Sequence, residues 1–192
     1  LFKIKAKELC NDSAICLIKG DVRDFTFIDD EISFFIHGAT ESKTKLNDED
    51  PLLMFDTIVN GTRRVLDAAV RAKCKKFLFI SSGAAYGKQP DGISNIVESF
   101  SGAPFTTSPL SAYGEGKRAG ELLCSIYHKY FPFLEPKFAR CFAFIGPYMP
   151  LDAHFAAGNF IRDALNNKSI AIKGNGKTVR SYMYASDLAV WL

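Results

Sequence analysis

The chain has 192 residues, with 24 basic and 21 acidic side chains and a formal net charge of +3. A hydrophobic share of 47% beside 23% charged residues is an ordinary globular composition, which excludes disordered, collagen-like and coiled-coil readings. So even a balance argues against nucleic acid or a membrane surface as partner, and the apolar runs, such as 77–80 and 141–145, are too short to span a bilayer.

The first seven residues interleave lysines with apolar side chains, unlike a secretory leader. Position 1 is Leu rather than Met, so we expect a piece of a longer polypeptide. Cysteines stand at Cys10, Cys16, Cys74, Cys124 and Cys141, an odd number without a Cys-x-x-Cys pair. That pattern indicates neither a disulfide framework nor a zinc site, and suits small buried hydrophobes in a reducing cytoplasm. His37, His128 and His154 have no metal-ligand spacing, so no metal is expected.

Taken in chain order, residues 14–18 read as a buried strand and 32–36 as a second, ending at His37-Gly38-Ala39. Residues 50–73 read as a helix, opened by Asp50 as cap and Pro51 in the first turn. A third strand covers 77–80 and ends at Ser81-Ser82-Gly83. The next stretch, about thirty residues rich in Gly, Pro, Ser and Thr, has the length of a functional loop. A helix over 112–130, a strand over 137–145 and a helix over 156–166 follow. Short strands at 169–172 and 181–184, a turn at 174–177 and a helix from Asp187 complete the chain. Alternating apolar strands and helices predict an α/β fold with a parallel sheet covered on both faces. Ligands of such sheets sit at the carboxyl ends of the strands, here marked by Asp21, Gly38-Ala39 and Ser81-Ser82. The shift to shorter strands after Pro147 predicts entry into a smaller lobe.

Tyr113 and Lys117 lie four apart on the 112–130 helix and so share a face. An ammonium beside a phenol favours the phenolate, and such a tyrosine can exchange a proton with a substrate hydroxyl. An amphipathic helix with a solvated lysine explains the pair alone equally well. Ser82 at a strand end adds specificity, because its hydroxyl can bind the same substrate oxygen; taken alone, Ser81-Ser82 is ordinary turn chemistry.

With these residues in place the sequence resembles the extended short-chain dehydrogenase/reductases, the nucleotide-sugar epimerases and dehydratases. The matching segments run nearly the whole chain in order: Gly20-Asp21-Val22-Arg23-Asp24; Ile36-His37-Gly38-Ala39; Asn60-Gly61-Thr62; residues 77–87; Ser111-Ala112-Tyr113-Gly114-Glu115-Gly116-Lys117 with Glu121; Arg140-Cys141-Phe142 with Ile145-Gly146-Pro147; Gly158-Asn159-Phe160-Ile161; and Gly174-Asn175-Gly176 with Arg180 and Asp187. The resemblance implies a Rossmann-type doubly wound parallel sheet whose N-terminal strands are missing. It divides the chain into a partial NAD-binding domain (1–147) and part of a nucleotide-sugar-binding lobe (148–192). It assigns Asp21 and Val22 to the adenine side of NAD, and Gly38, Ala39 and Thr40 to the loop under the cofactor. Ser82, Tyr113 and Lys117 match the catalytic triad; Ser81, Tyr113, Lys117 and Phe142 fall on the cofactor side. Ser82, Asn159, Phe160, Ala171, Lys173 and Arg180 match positions that contact the nucleotide sugar.

The departures narrow the reaction. No glycine-rich phosphate loop occurs, so NAD is expected from the resemblance and NADP stays open. Ile58 and Ala143 replace asparagines common in the family. The 4,6-dehydratases carry an Asp-Glu pair where this chain has Gly83 and Ala84, and the 3,5-epimerase/reductases use a cysteine at the position of Ala84. What remains needs only the triad: C4 epimerisation through a transient 4-keto sugar, or simple 4-keto reduction. The loop 87–111, with Val97-Glu98-Ser99 and Thr107-x-Pro109, most resembles that of the 4-epimerases, which implies an NAD-dependent 4-epimerase. A 4-ketoreductase or 4,6-dehydratase-like enzyme of the same family is the alternative. A non-catalytic nucleotide-binding fragment is the alternative of another class. Relatives commonly pair through two helices, so a homodimer through 52–72 and 112–130 is expected.

Overall fold

The computed structural model describes residues 12–26, 31–40, 44–153, 155–172 and 174–192. Its centre is a parallel three-stranded sheet of β1 (Phe34–His37), β2 (Lys76–Ser82) and β3 (Glu135–Cys141), in the order β1-β2-β3. The register runs His37 to Phe79 and Ser82 to Cys141, so all three carboxyl ends lie along one edge.

Between β1 and β2 come the short helix α1 (Thr44–Glu49) and the long helix α2 (Pro51–Arg71). The Asp50 side chain accepts the Leu53 amide at 2.9 Å, and Pro51 occupies the first turn, as the sequence predicts. Helix α3 (Ala112–Tyr130) connects β2 to β3. It begins and ends at the predicted residues. Helices α2 and α3 pack on the sheet face formed by His37, Phe77, Phe79 and Ser81. Leu66, Ala69, Cys74, Phe77, Phe79, Cys124 and Leu134 form a water-free core there. Gly120 permits this approach, since a Cβ there would lie 2.5 Å from the Phe79 ring. The other side of β1 is open among the described residues: Phe34 is 71% and Ile36 66% exposed.

A second, two-stranded parallel sheet pairs β4 (Ala143–Ile145) with β5 (Tyr182–Tyr184). Helices α4 (Ala156–Leu165) and α5 (Ala185–Trp191) flank β5 in sequence. No described helix is long and apolar enough to cross a membrane.

Several expectations require correction. The 14–18 run is not a strand, because no described residue offers it a ladder, and Leu17 and Ile18 are exposed. The predicted 169–172 strand is irregular for the same reason, with Ile170 and Ile172 exposed. The 137–145 run is two strands: the chain leaves the first sheet at Phe142 and enters the second at Ala143. Helix α1 has no apolar period and was not anticipated. Of the cysteines, Cys74 and Cys124 are buried as expected, whereas Cys16 is exposed; Cys10 and His154 lie outside the described residues.

Candidate active site

The carboxyl edge of the first sheet gathers most of the expected triad's surroundings. Lys117 points from α3 into the sheet, is 2% exposed, and donates from Nζ to the Ile80 carbonyl at 2.8 Å. The ammonium lies 5.1 Å from the Phe79 ring centre and 5.8 Å from that of Tyr113. Burial pulls its pKa down from 10.5 to about 8. The i, i+4 spacing therefore sets ammonium and phenol side by side, as the sequence predicts.

Ser82 ends β2 and caps the 3₁₀ turn Gly83–Tyr86, its Oγ accepting the Ala84 amide at 3.1 Å. This leaves the hydroxyl proton available for another acceptor. Gly114 brings α3 against that turn, for a Cβ there would stand 3.0 Å from the Ala84 carbonyl oxygen. Tyr113 and the Ser82 turn are thus held by adjoining backbone.

Phe142 walls the site beyond Gly83. Its ring stacks on Tyr86 at 6.3 Å, and a Cβ on Gly83 would fall 2.5 Å from it. The space for an acidic side chain at position 83 is filled by the phenyl ring.

Ser81 faces inward and is buried, donating to Glu121 at 2.5 Å. Glu121 also takes a two-point contact from Arg140, at 2.9 and 2.6 Å, and the Arg140 guanidinium lies 4.3 Å from the Tyr86 ring centre. A single carboxylate thereby ties β2, α3, β3 and the aromatic wall together. The Ser81 side chain, expected on the cofactor side, is engaged by this internal bond. The sequence signal for Glu121 was its spacing of four from Lys117 on the same face.

His37, at the end of β1, is buried, with Nε2 3.0 Å from Thr62 Oγ1. Burial, aided by the nearby Lys117 charge, lowers its pKa to about 4, so it stays neutral beside the ammonium. Beyond it, Gly38 and Ala39 are exposed, and Thr40 Oγ1 is buried without a hydrogen-bond partner among the described residues. A buried hydroxyl left unpaired is costly, so this loop suits a bound polar group.

Val22 packs on α2, where a Cβ at Gly61 would lie 2.7 Å from its Cγ1. Asp21 is engaged by Arg23 at 2.7 Å, which also reaches Asp56 at 2.8 Å. These contacts pull the Asp21 carboxyl down to about 2. Sequence reading did not foresee this pairing.

The substrate-side residues form a separate group. Asn159 and Phe160 lie on α4, and Asn159 Oδ1 accepts from Arg162 at 3.0 Å. Ala171 is exposed. Arg180 is exposed, with one nitrogen 3.2 Å from the Val179 carbonyl. No hydrogen bond or ion pair joins Asn159 or Arg180 to Tyr113 or Lys117. Lys173 lies outside the described residues. No three described His, Cys, Asp or Glu side chains are grouped to hold a metal.

Comparison with known proteins agrees with this geometry. UDP-glucuronic acid decarboxylase 6 of Arabidopsis thaliana is 30% identical over 172 residues, covering 90% of this chain and 48% of that protein. UDP-glucuronic acid decarboxylase 4 of the same plant is 33% identical over 142 residues, 72% of this chain and 30% of its own length. Among solved structures, a UDP-N-acetylglucosamine 4-epimerase from Methanobrevibacter ruminantium superposes with a TM-score of 0.80 at 26% identity, over 94% of this chain and 57% of that one. A UDP-glucuronic acid 4-epimerase from Bacillus cereus, in complex with UDP-glucuronic acid and NAD, gives 0.79 at 25% identity, over 97% and 57%. The chain thus spans between 30% and 57% of the length of these proteins. The model of the NAD dependent epimerase/dehydratase family matches residues 3–192, and the parallel sheet ending in Ser82 beside the Tyr113–Lys117 pair is the arrangement its resemblance implied; the chain belongs to that family.

Proposed function

We propose that the whole protein is an NAD-dependent nucleotide-sugar enzyme of the 4-epimerase type. The observation that carries this reading is the buried Lys117 ammonium beside the Tyr113 ring, next to a Ser82 turn whose following residues, Gly83 and Ala84, bear no acid. The loop of Gly38, Ala39 and Thr40 fits the cofactor, because the buried Thr40 hydroxyl lacks a partner among the described residues. Held there and by Tyr113 and Lys117, NAD would supply reversible hydride exchange at the sugar C4.

This chain's residues manage the proton and the orientation. Tyr113 takes the C4 hydroxyl proton as the C4 carbon is oxidised, and returns it on reduction. Lys117 stabilises the phenolate between those events. Ser82 Oγ donates to the same substrate oxygen and fixes its direction. Arg180, Asn159 and Phe160 are the residues we assign to the diphosphate, the arginine being a suitable use of a fixed-charge planar fork. Ala171 and Lys173 are assigned to the nucleotide base. Rotation of the 4-keto sugar between the two hydride transfers exchanges the configuration at C4.

A second reading rests on the 30–33% identity to UDP-glucuronic acid decarboxylases. Oxidation at C4 of a hexuronic acid gives a β-keto acid, which loses carbon dioxide without a further base. Both readings use the same Tyr113 chemistry and differ in the substrate's C6. We also propose a homodimer through the outer faces of α2 and α3, where Leu52, Phe55, Leu122, Ile126 and Tyr130 are exposed.

The test is incubation of the whole encoded protein with NAD and UDP-, dTDP- and CDP-hexoses, and separately with UDP-glucuronic acid. C4 epimers without carbon dioxide support the first reading; a pentose product with carbon dioxide supports the second. A 4-keto-6-deoxy product overturns both. Tyr113→Phe is expected to lower turnover by about two to four orders of magnitude, with NAD binding retained.

A further inference from the structure

Helix α3 carries Tyr113 in its first turn, yet the residue before the helix does not cap it. Ser111 makes no capping bond, and its Oγ donates instead to the Phe105 carbonyl at 2.8 Å. The first amides of a helix have no partner within it and need one from elsewhere. At Tyr113 that partner comes from a distant segment. Asn47, on α1, accepts the Tyr113 amide through Oδ1 at 3.0 Å. Its Nδ2 donates to the Leu110 carbonyl at 2.9 Å, in the turn that leads into α3.

We propose that Asn47 is a positioning residue for Tyr113, supplying from α1 the cap that fixes the first turn of the catalytic helix. The inference rests on Tyr113 being the acid/base of the proposed reaction. Two constraints then meet on consecutive residues. Asn47 holds the Tyr113 amide, while Gly114 lies against Pro104 and the Ala84 carbonyl. The backbone from which the phenol projects has little room to shift. Its distance to Lys117, set by the helix, and to Ser82, set by the 3₁₀ turn, is thereby preserved. Asn is suited because one oxygen accepts from the helix while the amide nitrogen donates to the approaching turn. A carboxylate in its place keeps the first contact and loses the second. The position of α1 adds a functional link, since it starts four residues after Thr40, in the stretch assigned to the cofactor.

The test uses Asn47→Leu, which removes both bonds at similar size, and Asn47→Asp, which keeps the acceptor for the Tyr113 amide. Both are made in the whole encoded protein with NAD and the substrate it turns over. Misplacing a reacting group slightly costs on the order of tenfold to a hundredfold in rate. Asn47→Leu is therefore expected to lower kcat about tenfold or more, with substrate KM nearly unchanged and the tyrosine limb of the kcat–pH profile displaced. Asn47→Asp is expected to recover most of that loss. Amide exchange at Tyr113 should be faster in Asn47→Leu than in Asn47→Asp. Where Asn47→Leu does not fold, Asn47→Ser, too short to reach either partner, serves the same comparison. Wild-type kcat in the bond-deleting variant, or equal exchange in the two variants, overturns the proposal. Tyr113→Phe run beside them separates the two ideas. If that variant is inactive while Asn47→Leu is normal, only the role of Asn47 fails; if it keeps turnover, the acid/base reading fails first.

Discussion

The Lys117 ammonium donates to the Ile80 carbonyl two residues before Ser82, so the helix carrying Tyr113 is pinned to the strand carrying the serine. This contact also removes the charge from water, which is why the lysine's pKa falls to about 8. A depression from 10.5 corresponds to about 3 kcal/mol between the charged and neutral forms. Between pH 8 and 10.5 the unfolded chain holds this proton and the folded chain does not, so folding stability rises with pH across that window. We expect denaturation of the wild type at a series of pH values to show this rise, and Lys117→Met to flatten it. Parallel pH curves for the two proteins would refute the buried-charge account. Turnover in the proposed reaction should meanwhile be lost in Lys117→Met, because the phenolate loses its counter-charge.

His37 makes the complementary prediction on the acid side. Burial holds its pKa near 4 against 6.5 for a solvated imidazole. As pH falls from about 6.5 to 4, the unfolded chain takes up a proton that the folded chain refuses, and stability is lost over that interval. The loss attributable to this group is about 3 kcal/mol. His37→Gln can still meet Thr62 Oγ1 without titrating. Its melting temperature should therefore fall less steeply between pH 6.5 and 4.5 than that of the wild type, and an equally steep fall would show that His37 is not the group responsible.

The Glu121 carboxylate accepts three hydrogen bonds from Ser81 and Arg140, so its removal should cost more than that of an exposed acid. Glu121→Ala leaves the Arg140 guanidinium and the Ser81 hydroxyl without their acceptor in a largely buried setting. Breaking such a pair costs about 3 kcal/mol. Replacing both charges, in Glu121→Leu with Arg140→Met, should recover part of this, as measured by urea denaturation. A double variant no more stable than Glu121→Ala would contradict the argument from an unpaired charge. The Tyr86–Phe142 stack over Arg140 should loosen in the single variant and raise substrate KM.

The long helices and the Tyr113–Lys117 pair were legible because their signals are local. Asp50-Pro51 caps α2 through a contact three residues away, and Tyr113 and Lys117 meet through one helical turn. Strands were less legible, because an apolar run becomes a strand only beside a neighbour. Residues 14–18 and 169–172 have the composition without the ladder. The break at Phe142 is invisible in the sequence, since Cys141 and Ala143 differ only in which sheet accepts them. Asn47 left no local trace, because its partners lie 63 and 66 residues onward. Asp21 was read as a strand-end carboxylate, but 14–18 forms no strand, and its engagement by Arg23 depends on a backbone turn that spacing does not specify.

Two glycines meet the same obstacle at the same distance and should respond differently. A Cβ at Gly83 would stand 2.5 Å from the Phe142 ring, and a Cβ at Gly120 would stand 2.5 Å from the Phe79 ring. Such a clash must be relieved by movement of the neighbour. Phe142 is 61% exposed and can swing into solvent, giving up its stack on Tyr86. Aromatic pairs of this kind contribute about 1 kcal/mol, so Gly83→Ala should cost about that much. Phe79 is 1% exposed, lies between α3 and the sheet, and has no rotamer to escape into. Gly120→Ala must push the helix off the strand, at about 2–3 kcal/mol, partly offset by the better helix propensity of alanine. The separation of Lys117 from Ile80 would widen with it. Gly120→Ala should therefore lower both the denaturation midpoint and kcat, whereas Gly83→Ala should keep the fold and alter substrate KM through the displaced ring. Equal destabilisation by the two substitutions would mean that the Phe142 wall is as rigid as the core.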